Sequence, residues 1–318
     1  MQEKKNQEKT EKSRFEELLC HHVLDILGDG FETEVSVTRK NNDVMKKVMY
    51  VRKENSECIP CFYLDELYHS YCMGESEWSL AESLANIVRG ECEKVRQKAK
   101  KYVRKEWIAD HLFVRLINRE RNKVFLEDAV YRNVLDLAAV FYVLTEDGEE
   151  GIKSYCLPVN VWEQLNLGTV EEYFPKVLEN TQRLFPEQMY CLTEGMQELL
   201  ERGEPGDVIR LRTLEEKELL RDKTLYVLSN RRKICGAATV LYPDILKRIG
   251  EQFLGDYYII PSSIHEVLLL KATEEEEEVR LNEIVHEVNE SHVEPEEVLS
   301  NHVYYYAREG ACLKERRA

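Results

Sequence analysis

The C-terminal third of the chain, residues 225–306, constrains the fold more than any other stretch. Short apolar runs alternate there with turn signals, and a Tyr-Pro-Asp segment separates two of the runs. Short apolar runs between turn residues are typical of buried strands, whereas apolar residues spaced three and four apart indicate a helix. We therefore predict a strand–helix–strand core, with strands at 224–228, 234–239, 257–260 and 266–271 and a helix at 242–253.

The N-terminal part has the pattern of a helix-rich domain with one hairpin. Ser13 and Glu16 form a capping-box pattern, which predicts that a helix begins there and that residues 1–12 form a disordered tail. Two alternating segments separated by Asn-Asn-Asp predict a β-hairpin. The predicted elements of this domain, residues 13–106, are strands at 34–39 and 44–52 and helices at 63–73 and 79–103.

From residue 107 the pattern changes to longer apolar runs of strand type. Three such runs predict strands, and an acidic, glycine-containing turn makes a hairpin of the last two. These strands are expected at 112–117, 137–145 and 152–157. The chain as a whole is therefore predicted to have an α+β fold, with a mixed α/β domain at residues 107–318.

Helices in this second domain are predicted from caps and spacing. Thr169 and Glu172 form another capping box, and we expect Pro175 to kink or restart the helix that follows, because proline has no N–H to donate. Further helices are expected at 188–202, around 281–288 and in a short turn from Pro295. Glycine, proline and aspartate at 202–207 mark a candidate sub-boundary of the domain.

The composition restricts the partners and the compartment. The formal net charge of −16 disfavours nucleic acid and anionic membranes as partners, because both are negatively charged. No apolar run approaches the roughly 18 residues that a membrane helix needs, and the first 12 residues lack the apolar segment of a signal peptide. Nine scattered cysteines indicate reduced thiols. We expect a cytoplasmic protein that is not embedded in a membrane.

Two oppositely charged segments suggest a contact between proteins. The segment from Lys94 to Lys105 carries seven bases and no acid, and the stretch from Glu274 to Glu297 is rich in acids. The simplest interpretation of the basic segment is a solvated helix face, and an acidic partner, RNA or a membrane surface are alternatives. A further alternative is that the two segments neutralise each other, within one chain or across a dimer.

Cys58 and Cys61 form a Cys-x-x-Cys pair before a predicted helix. A helix N-terminus lowers the pKa of a thiol, so this position suits thiol–disulfide exchange. A hairpin precedes the pair, however, where a thioredoxin-type domain would have a βαβ unit. Ordinary loop cysteines are the favoured interpretation, and a thiol oxidoreductase is the alternative. His69 and Cys72 do not complete a zinc pattern with them.

The segment Pro-Ser-Ser-Ile-His-Glu at 261–266 places hydroxyls and an imidazole between two predicted strands. A hydrolase would use Ser262 or Ser263 as the nucleophile and His265 as the base. Neighbouring residues of an extended segment point to alternating faces, and no Gly-x-Ser-x-Gly elbow is present. A turn whose side chains cap backbone groups is favoured, and a hydrolase site is the second alternative.

The chain shows no motif for a metal or a cofactor. His286 and His292 lie six residues apart and so point to different faces of a helix, and there is no His-Glu-x-x-His. The glycine-rich loops that hold phosphates are absent, since Gly236 is isolated. We expect no metal and no cofactor.

Several blocks of the chain carry a family resemblance, which covers nearly all of it beyond the N-terminal tail. They are residues 63–68, 135–142, 162, 179–181, 236–238, 241–243, 260–266, 288–289 and 295–300. In these blocks the chain resembles an uncharacterised family of unknown function from anaerobic gut Firmicutes, and more distantly it is similar to the uncharacterised YtpQ-like bacterial proteins. The resemblance implies no activity, substrate or cofactor. Cys58, Cys61 and Pro175 depart from the pattern of the family.

Taken together, the sequence favours a non-catalytic binding or interaction protein. The fold is well specified, whereas a catalytic constellation is not evident. Thiol–disulfide exchange at Cys58 and Cys61 and hydrolysis at Ser262, Ser263 and His265 remain the alternatives.

Overall fold

The computed structural model describes residues 2–56, 59–148, 151–193, 220–221, 223–272, 277–310 and 312–315. The chain divides into two compact units, Met1–Arg104 and Lys105–Ala318. Helices and several antiparallel sheets build these units, which confirms the predicted α+β class. No helix among the described residues has both the length and the apolar character needed to cross a membrane.

The N-terminal unit packs three helices against a three-stranded antiparallel sheet of order β1–β2–β3. Its core joins Phe15, Leu19 and Val23 of the first helix with Met49 and Val51 of the sheet, because a spacing of three and four residues puts one helix face on the core. The elements are α1 (Gln2–Leu27), β1 (Phe31–Arg39), β2 (Met45–Lys53), β3 (Cys61–Tyr63), α2 (Leu64–Cys72) and α3 (Glu77–Tyr102).

The start of α1 differs from the prediction. The helix begins at Gln2, so residues 2–12, expected to be a disordered tail, have a helical backbone. Ser13 therefore lies inside the helix, and the predicted capping box does not begin it. The carboxylate of Glu16 is buried and pairs with Lys47 of β2 instead. The predicted hairpin is confirmed, with Asn42 and Asp43 at positive φ in its connection.

The first half of the second unit is a four-stranded antiparallel sheet with flanking helices. The predicted strands and their hairpin are confirmed. The Thr169–Glu172 capping box is also confirmed, but the helix continues through Pro175 without the expected restart. The elements are α4 (Lys105–His111), β4 (Leu112–Asn118), α5 (Lys123–Leu126), β5 (Tyr131–Val134), β6 (Leu137–Gly148), β7 (Gly151–Cys156), α6 (Val159–Leu165) and α7 (Val170–Leu184).

The second half of this unit is a six-stranded antiparallel sheet of order β13–β12–β10–β11–β9–β8. The largest hydrophobic cluster joins the two sheets of the unit through residues such as Phe141, Trp162, Ile249 and Tyr257. The elements are β8 (Glu187–Cys191), β9 (Tyr226–Asn230), α8 (Ile245–Phe253), β10 (Tyr257–Ser263), β11 (Glu266–Lys271), α9 (Glu277–Ser291), β12 (Tyr304–Ala307) and β13 (Cys312–Glu315).

Three predicted elements of this half are wrong. The expected strand at 234–239 is a 3₁₀ helix, Gly236–Leu241, which packs against β9 and β11. The expected helix from residue 188 begins as strand β8, because Met189 pairs with Leu228 of β9. The segment after Pro295 is a turn and not a short helix. The candidate sub-boundary at 202–207 lies outside the described residues.

Candidate functional site

The predicted cysteine pair is only partly described. Cys58 lies outside the described residues, whereas Cys61 is exposed and begins β3, opposite Tyr50 of β2. The helix that follows begins at Leu64, so Cys61 belongs to the sheet and not to the first turn of that helix. Among the described residues, no group of three His, Cys, Asp or Glu side chains is placed to hold a metal ion.

The predicted serine–histidine turn is the end of the β10–β11 hairpin. Strand β10 runs through both serines with a register shift between Pro261 and Ser263. The Ser263 hydroxyl accepts the backbone N–H of His265 at 3.0 Å, and the Ser262 hydroxyl bonds the Glu266 carboxyl. Burial raises the pKa of this carboxyl, although Lys233, His265 and Ser262 act in the opposite direction.

The imidazole of His265 is engaged on both sides. Its Nδ1 accepts the backbone N–H of Cys235 at 3.1 Å, and its Nε2 lies 3.4 Å from the Glu297 carboxylate. An accepting Nδ1 places the proton of the neutral ring on Nε2, which then points at Glu297. Within the described chain neither serine hydroxyl bonds the ring, so these contacts connect three segments of the fold and do not align a nucleophile with a base.

A different polar group is buried more deeply, around Asp136. Its carboxylate accepts hydrogen bonds from the hydroxyls of Ser300 and Tyr304, both at 2.6 Å. The three residues are buried, and the Ser300 oxygen also accepts the backbone N–H of His302 at 2.9 Å. Bonds from two hydroxyls to one carboxylate are charge-assisted, so they fix the loop before β12 against the first sheet.

The turn that carries Asp136 has an unusual backbone. Leu135 and Asp136 form the two-residue connection between β5 and β6, and Leu135 adopts a φ of 55°. Two-residue hairpin turns favour glycine or asparagine at positive φ, because a larger side chain is strained there. The bonds of Asp136 and the packing of Leu135 against the main core hold the turn in this conformation.

Three buried asparagines extend the same network. Asn118, at the end of β4, donates to the Leu299 carbonyl at 3.1 Å and accepts the backbone N–H of Arg121 at 3.0 Å. Asn122 donates to the Asn118 carbonyl, and Asn289 of α9 donates to the Ser300 carbonyl. A buried polar network whose groups are satisfied is rigid, and it gives this region a single arrangement.

A polar cleft of about 920 Å³ opens beside this network. Its lining is made by the end of β4, the segment after it, the Asp136 turn, α9 and the loop before β12. The lining residues are Asn118, Arg119, Glu120, Arg121, Asp136, Asn282, Glu283, His286, Asn301 and His302. The cleft has the size of a small-molecule site, and the residues that line it are polar or charged.

Several hydrogen-bond donors on this wall have no partner among the described residues. The oxygen of the Asn282 amide accepts the backbone N–H of Val303 at 2.8 Å, so its nitrogen points the other way, and this nitrogen is buried without a partner. The Asn301 oxygen faces Asn289 at 2.8 Å, which likewise leaves its nitrogen free. The Arg121 guanidinium and the His302 imidazole add further donors to the same wall.

The acidic groups of the cleft are distributed differently. Glu120 is neutralised by Lys123 at 2.6 Å and lies 3.9 Å from Arg119. The carboxylate of Asp136 is engaged by its two hydroxyl partners, which leaves Glu283 as the exposed acid at the rim. The cleft therefore offers a cation and amide donors on one part of its wall and a carboxylate on another.

The sequence analysis did not single out this site. Its residues come from segments far apart in the chain, and none of them forms a motif by spacing. The available signal was the family resemblance, because Asp136, Asn289 and Ser300 each lie in one of its blocks. The resemblance implies no role for these residues, so it does not by itself indicate a site.

The structure thus shows an α+β protein with a cleft of polar residues in its C-terminal unit. The comparison with family models identifies the family: the chain belongs to a family of unknown function, DUF5688, whose model matches residues 12–308. Neither the comparison with curated proteins nor the comparison with solved structures gave a match.

Proposed function

We propose that this protein is a non-catalytic binding protein and that its C-terminal unit takes up a small hydrophilic ligand in the polar cleft. The ligand class that fits is a molecule carrying both an oxyanion and hydroxyl groups, such as a sugar phosphate. The observation that carries the proposal is the buried Asn282 nitrogen, a donor without a partner on the wall of a cleft. A buried donor without an acceptor is unfavourable by about 1–3 kcal/mol, so an acceptor from a ligand would relieve it.

The arrangement of the other groups supports the same ligand class. Arg121 provides a cation that can bind an oxyanion with two hydrogen bonds, and Asn301 and His302 add donors beside it. Glu283 provides an acceptor for ligand hydroxyls at the rim. The wall is held by the satisfied network of Asp136 and the asparagines, so little ordering is needed on binding.

The test is calorimetric titration of the full chain with glucose 6-phosphate, inorganic phosphate and glucose. We expect glucose 6-phosphate to bind more tightly than either of the others, because only it offers both an oxyanion and hydroxyls. Arg121→Ala and Asn282→Asp should each weaken binding at least about tenfold, as expected for the loss of a hydrogen bond to a charged group. Asn282→Asp keeps the oxygen that accepts from Val303, so it removes the donor and not the fold.

A matched control is Lys247→Ala, which removes an exposed cation of α8 that does not line the cleft. This variant should bind as the wild type does. If Asn282→Asp bound glucose 6-phosphate as tightly as the wild type, the ligand would not bind in this cleft. The same conclusion would follow if Lys247→Ala weakened binding as much as Arg121→Ala.

Contact with another protein through the charged segments stays a proposal. The segment from Lys94 to Lys105 lies mostly in α3, and part of the stretch from Glu274 to Glu297 lies in α9. Glu290 and Glu297 lie near His286 and His265, so part of this acidic charge already has neighbours within the chain. The cytoplasm remains the proposed compartment, because scattered thiols suit a reducing environment.

A further inference from the structure

The polar cleft of the C-terminal unit contains two histidines, His286 of α9 and His302 of the loop before β12. Histidine is the side chain whose ordinary change of charge falls between about pH 5 and 8. A protonated ring has two N–H donors and a positive charge, whereas a neutral ring has one donor and no charge. The charge of the cleft wall therefore depends on pH in the physiological range.

The two histidines differ in their surroundings. His286 is exposed, and its Nε2 lies 3.7 Å from the carboxylate of Glu290, one turn further along α9, which offsets a charge on this ring. His302 is half-buried, and within the described chain no carboxylate is paired with its ring. Its backbone N–H donates to the Ser300 hydroxyl, which donates to Asp136, so His302 has a fixed place on the wall.

The other basic groups of the wall are arginines, which keep their charge at every physiological pH. Arg119 lies 3.9 Å from the Glu120 carboxylate, and Lys123 contacts the same carboxylate at 2.6 Å. Arg121 lines the cleft as well. Part of the attraction for an oxyanion is therefore independent of pH, and the histidine charge is added to it.

Two acids line the cleft besides Glu120. The carboxylate of Asp136 accepts hydrogen bonds from the hydroxyls of Ser300 and Tyr304, so its oxygens are already engaged. Glu283 of α9 is exposed at the rim. A proton taken up by His302 therefore adds a positive charge to the wall that no existing ion pair cancels.

We propose that the cleft binds its oxyanion in a pH-dependent manner and that His302 is the sensor, so that affinity rises as the pH falls and this ring takes up a proton. This inference rests on the proposed function of the cleft and adds its regulation. A charged donor binds an oxyanion more strongly than a neutral one. We expect binding to be about five- to tenfold tighter at about pH 6 than at about pH 8.

The test is calorimetric titration of the full chain with glucose 6-sulfate at about pH 6 and about pH 8. A sulfate ester keeps one negative charge across this range, whereas a phosphate ester gains a proton near about pH 6, which would obscure the effect of the protein. The wild type should bind the sulfate ester more tightly at the lower pH. His302→Gln keeps an N–H donor but takes up no proton, so its affinity should be the same at both.

His292→Gln is the matched control. His292 is an exposed histidine just after α9 that does not line the cleft. This variant should keep the full pH dependence of the wild type. If it lost the pH dependence as His302→Gln does, the overall charge of the protein and not the cleft would be responsible, and the proposal would be overturned.

A second measurement uses the wild type alone. If His302 binds its proton together with the ligand, binding of glucose 6-sulfate should take up a fraction of a proton, because the two equilibria are linked. Titrations in two buffers of different ionisation enthalpy measure this uptake. Equal affinity at both pH values without proton uptake would overturn the inference and leave the cleft as the binding site. No binding of glucose 6-sulfate or glucose 6-phosphate at either pH would overturn both.

Discussion

At the scale of single residues, Gly236 shows how neighbours determine the residue type. A Cβ atom at this position would lie 2.5 Å from the His265 carbonyl oxygen, 2.8 Å from the Asn230 nitrogen and 2.1 Å from the Ser229 hydroxyl. Two of these atoms are backbone, so they cannot turn away. We expect Gly236→Ala to lower the free energy of unfolding by about 1–3 kcal/mol or more, as measured by urea denaturation.

Gly90 is the matched control for this substitution. It lies in helix α3 with no atom within 4 Å of the position of a Cβ, and its φ is not positive. Gly90→Ala should leave stability unchanged or raise it by about 0.5–1 kcal/mol, because alanine is the better helix former. Similar effects of the two substitutions would mean that the close approach at Gly236 is not what fixes glycine there.

A second residue-scale prediction concerns Asp136. Asn at this position keeps one acceptor but presents a donor to the other hydroxyl, so the Ser300 or Tyr304 hydroxyl proton loses its partner. We expect Asp136→Asn to lower the free energy of unfolding by about 1–3 kcal/mol. Asp147→Asn, which removes an exposed ion pair with Arg232, should cost less than about 1 kcal/mol. Equal costs would contradict the role of the network.

A third prediction concerns the pH dependence that Glu266 contributes. Because burial raises the pKa of this carboxyl in the folded protein, the folded state holds a proton that the unfolded state loses above pH about 4.5. Its contribution to stability therefore falls as the pH rises through that range. Glu266→Gln does not titrate, so its stability relative to the wild type should improve from acid to neutral pH.

Ser262→Ala should change the pH dependence of stability in the direction opposite to Glu266→Gln. The Ser262 hydroxyl bonds the Glu266 carboxyl and holds its pKa lower than burial alone would. Its removal should steepen the loss of stability with rising pH, as followed by urea denaturation across that range. A stability difference between Glu266→Gln and wild type that is constant with pH would disprove the assignment.

At the scale of elements, the capping box of α7 illustrates how a local signal predicts structure. The Thr169 hydroxyl accepts the backbone N–H of Glu172 at 3.2 Å, and the Glu172 carboxylate accepts the backbone N–H of Thr169 at 3.0 Å. We expect Thr169→Ala to lower the free energy of unfolding by about 1 kcal/mol, whereas Thr169→Ser, which keeps the hydroxyl, should be close to wild type.

The pH dependence of this cap has a definite sign. The backbone N–H and the hydroxyl of Thr169 lower the pKa of Glu172, so the carboxylate contributes stability above its ordinary pKa of 4.5 and loses it as the pH falls. The difference between Thr169→Ala and wild type should therefore shrink in acid. A difference that grows in acid would exclude the carboxylate from the cap.

Elements with a strong local signal were predicted, and those set by distant partners were not. Strands β4, β6 and β7 follow from apolar runs and a turn, and α7 follows from its cap. Strand β8 was predicted as a helix, because its strand conformation depends on pairing with β9. The 3₁₀ helix at Gly236–Leu241 was predicted as a strand, since only its packing against β9 and β11 distinguishes the two.

At the scale of the whole molecule, the candidate site shows what a sequence without a motif conceals. Asp136 bonds residues 164 and 168 positions away in the chain. No periodicity, cap or spacing rule links positions that far apart, because the fold alone brings them together. The sequence analysis therefore found the fold class and missed the cleft, and its alternatives for a catalytic site were the Cys58–Cys61 pair and the turn with Ser262, Ser263 and His265.

The separation of the hydrophobic cores leads to the last prediction. The described cluster around Phe15 and Met49 lies within residues 1–104, and the clusters around Phe141, Val140, Tyr258 and Phe113 lie within residues 105–318. Each unit thus has apolar residues enough to bury a core of its own. We expect a fragment of residues 105–318 to fold alone, to unfold in one cooperative urea transition, and to lose stability on Asp136→Asn as the full chain does. A fragment without a cooperative transition would show that the C-terminal core depends on the N-terminal unit.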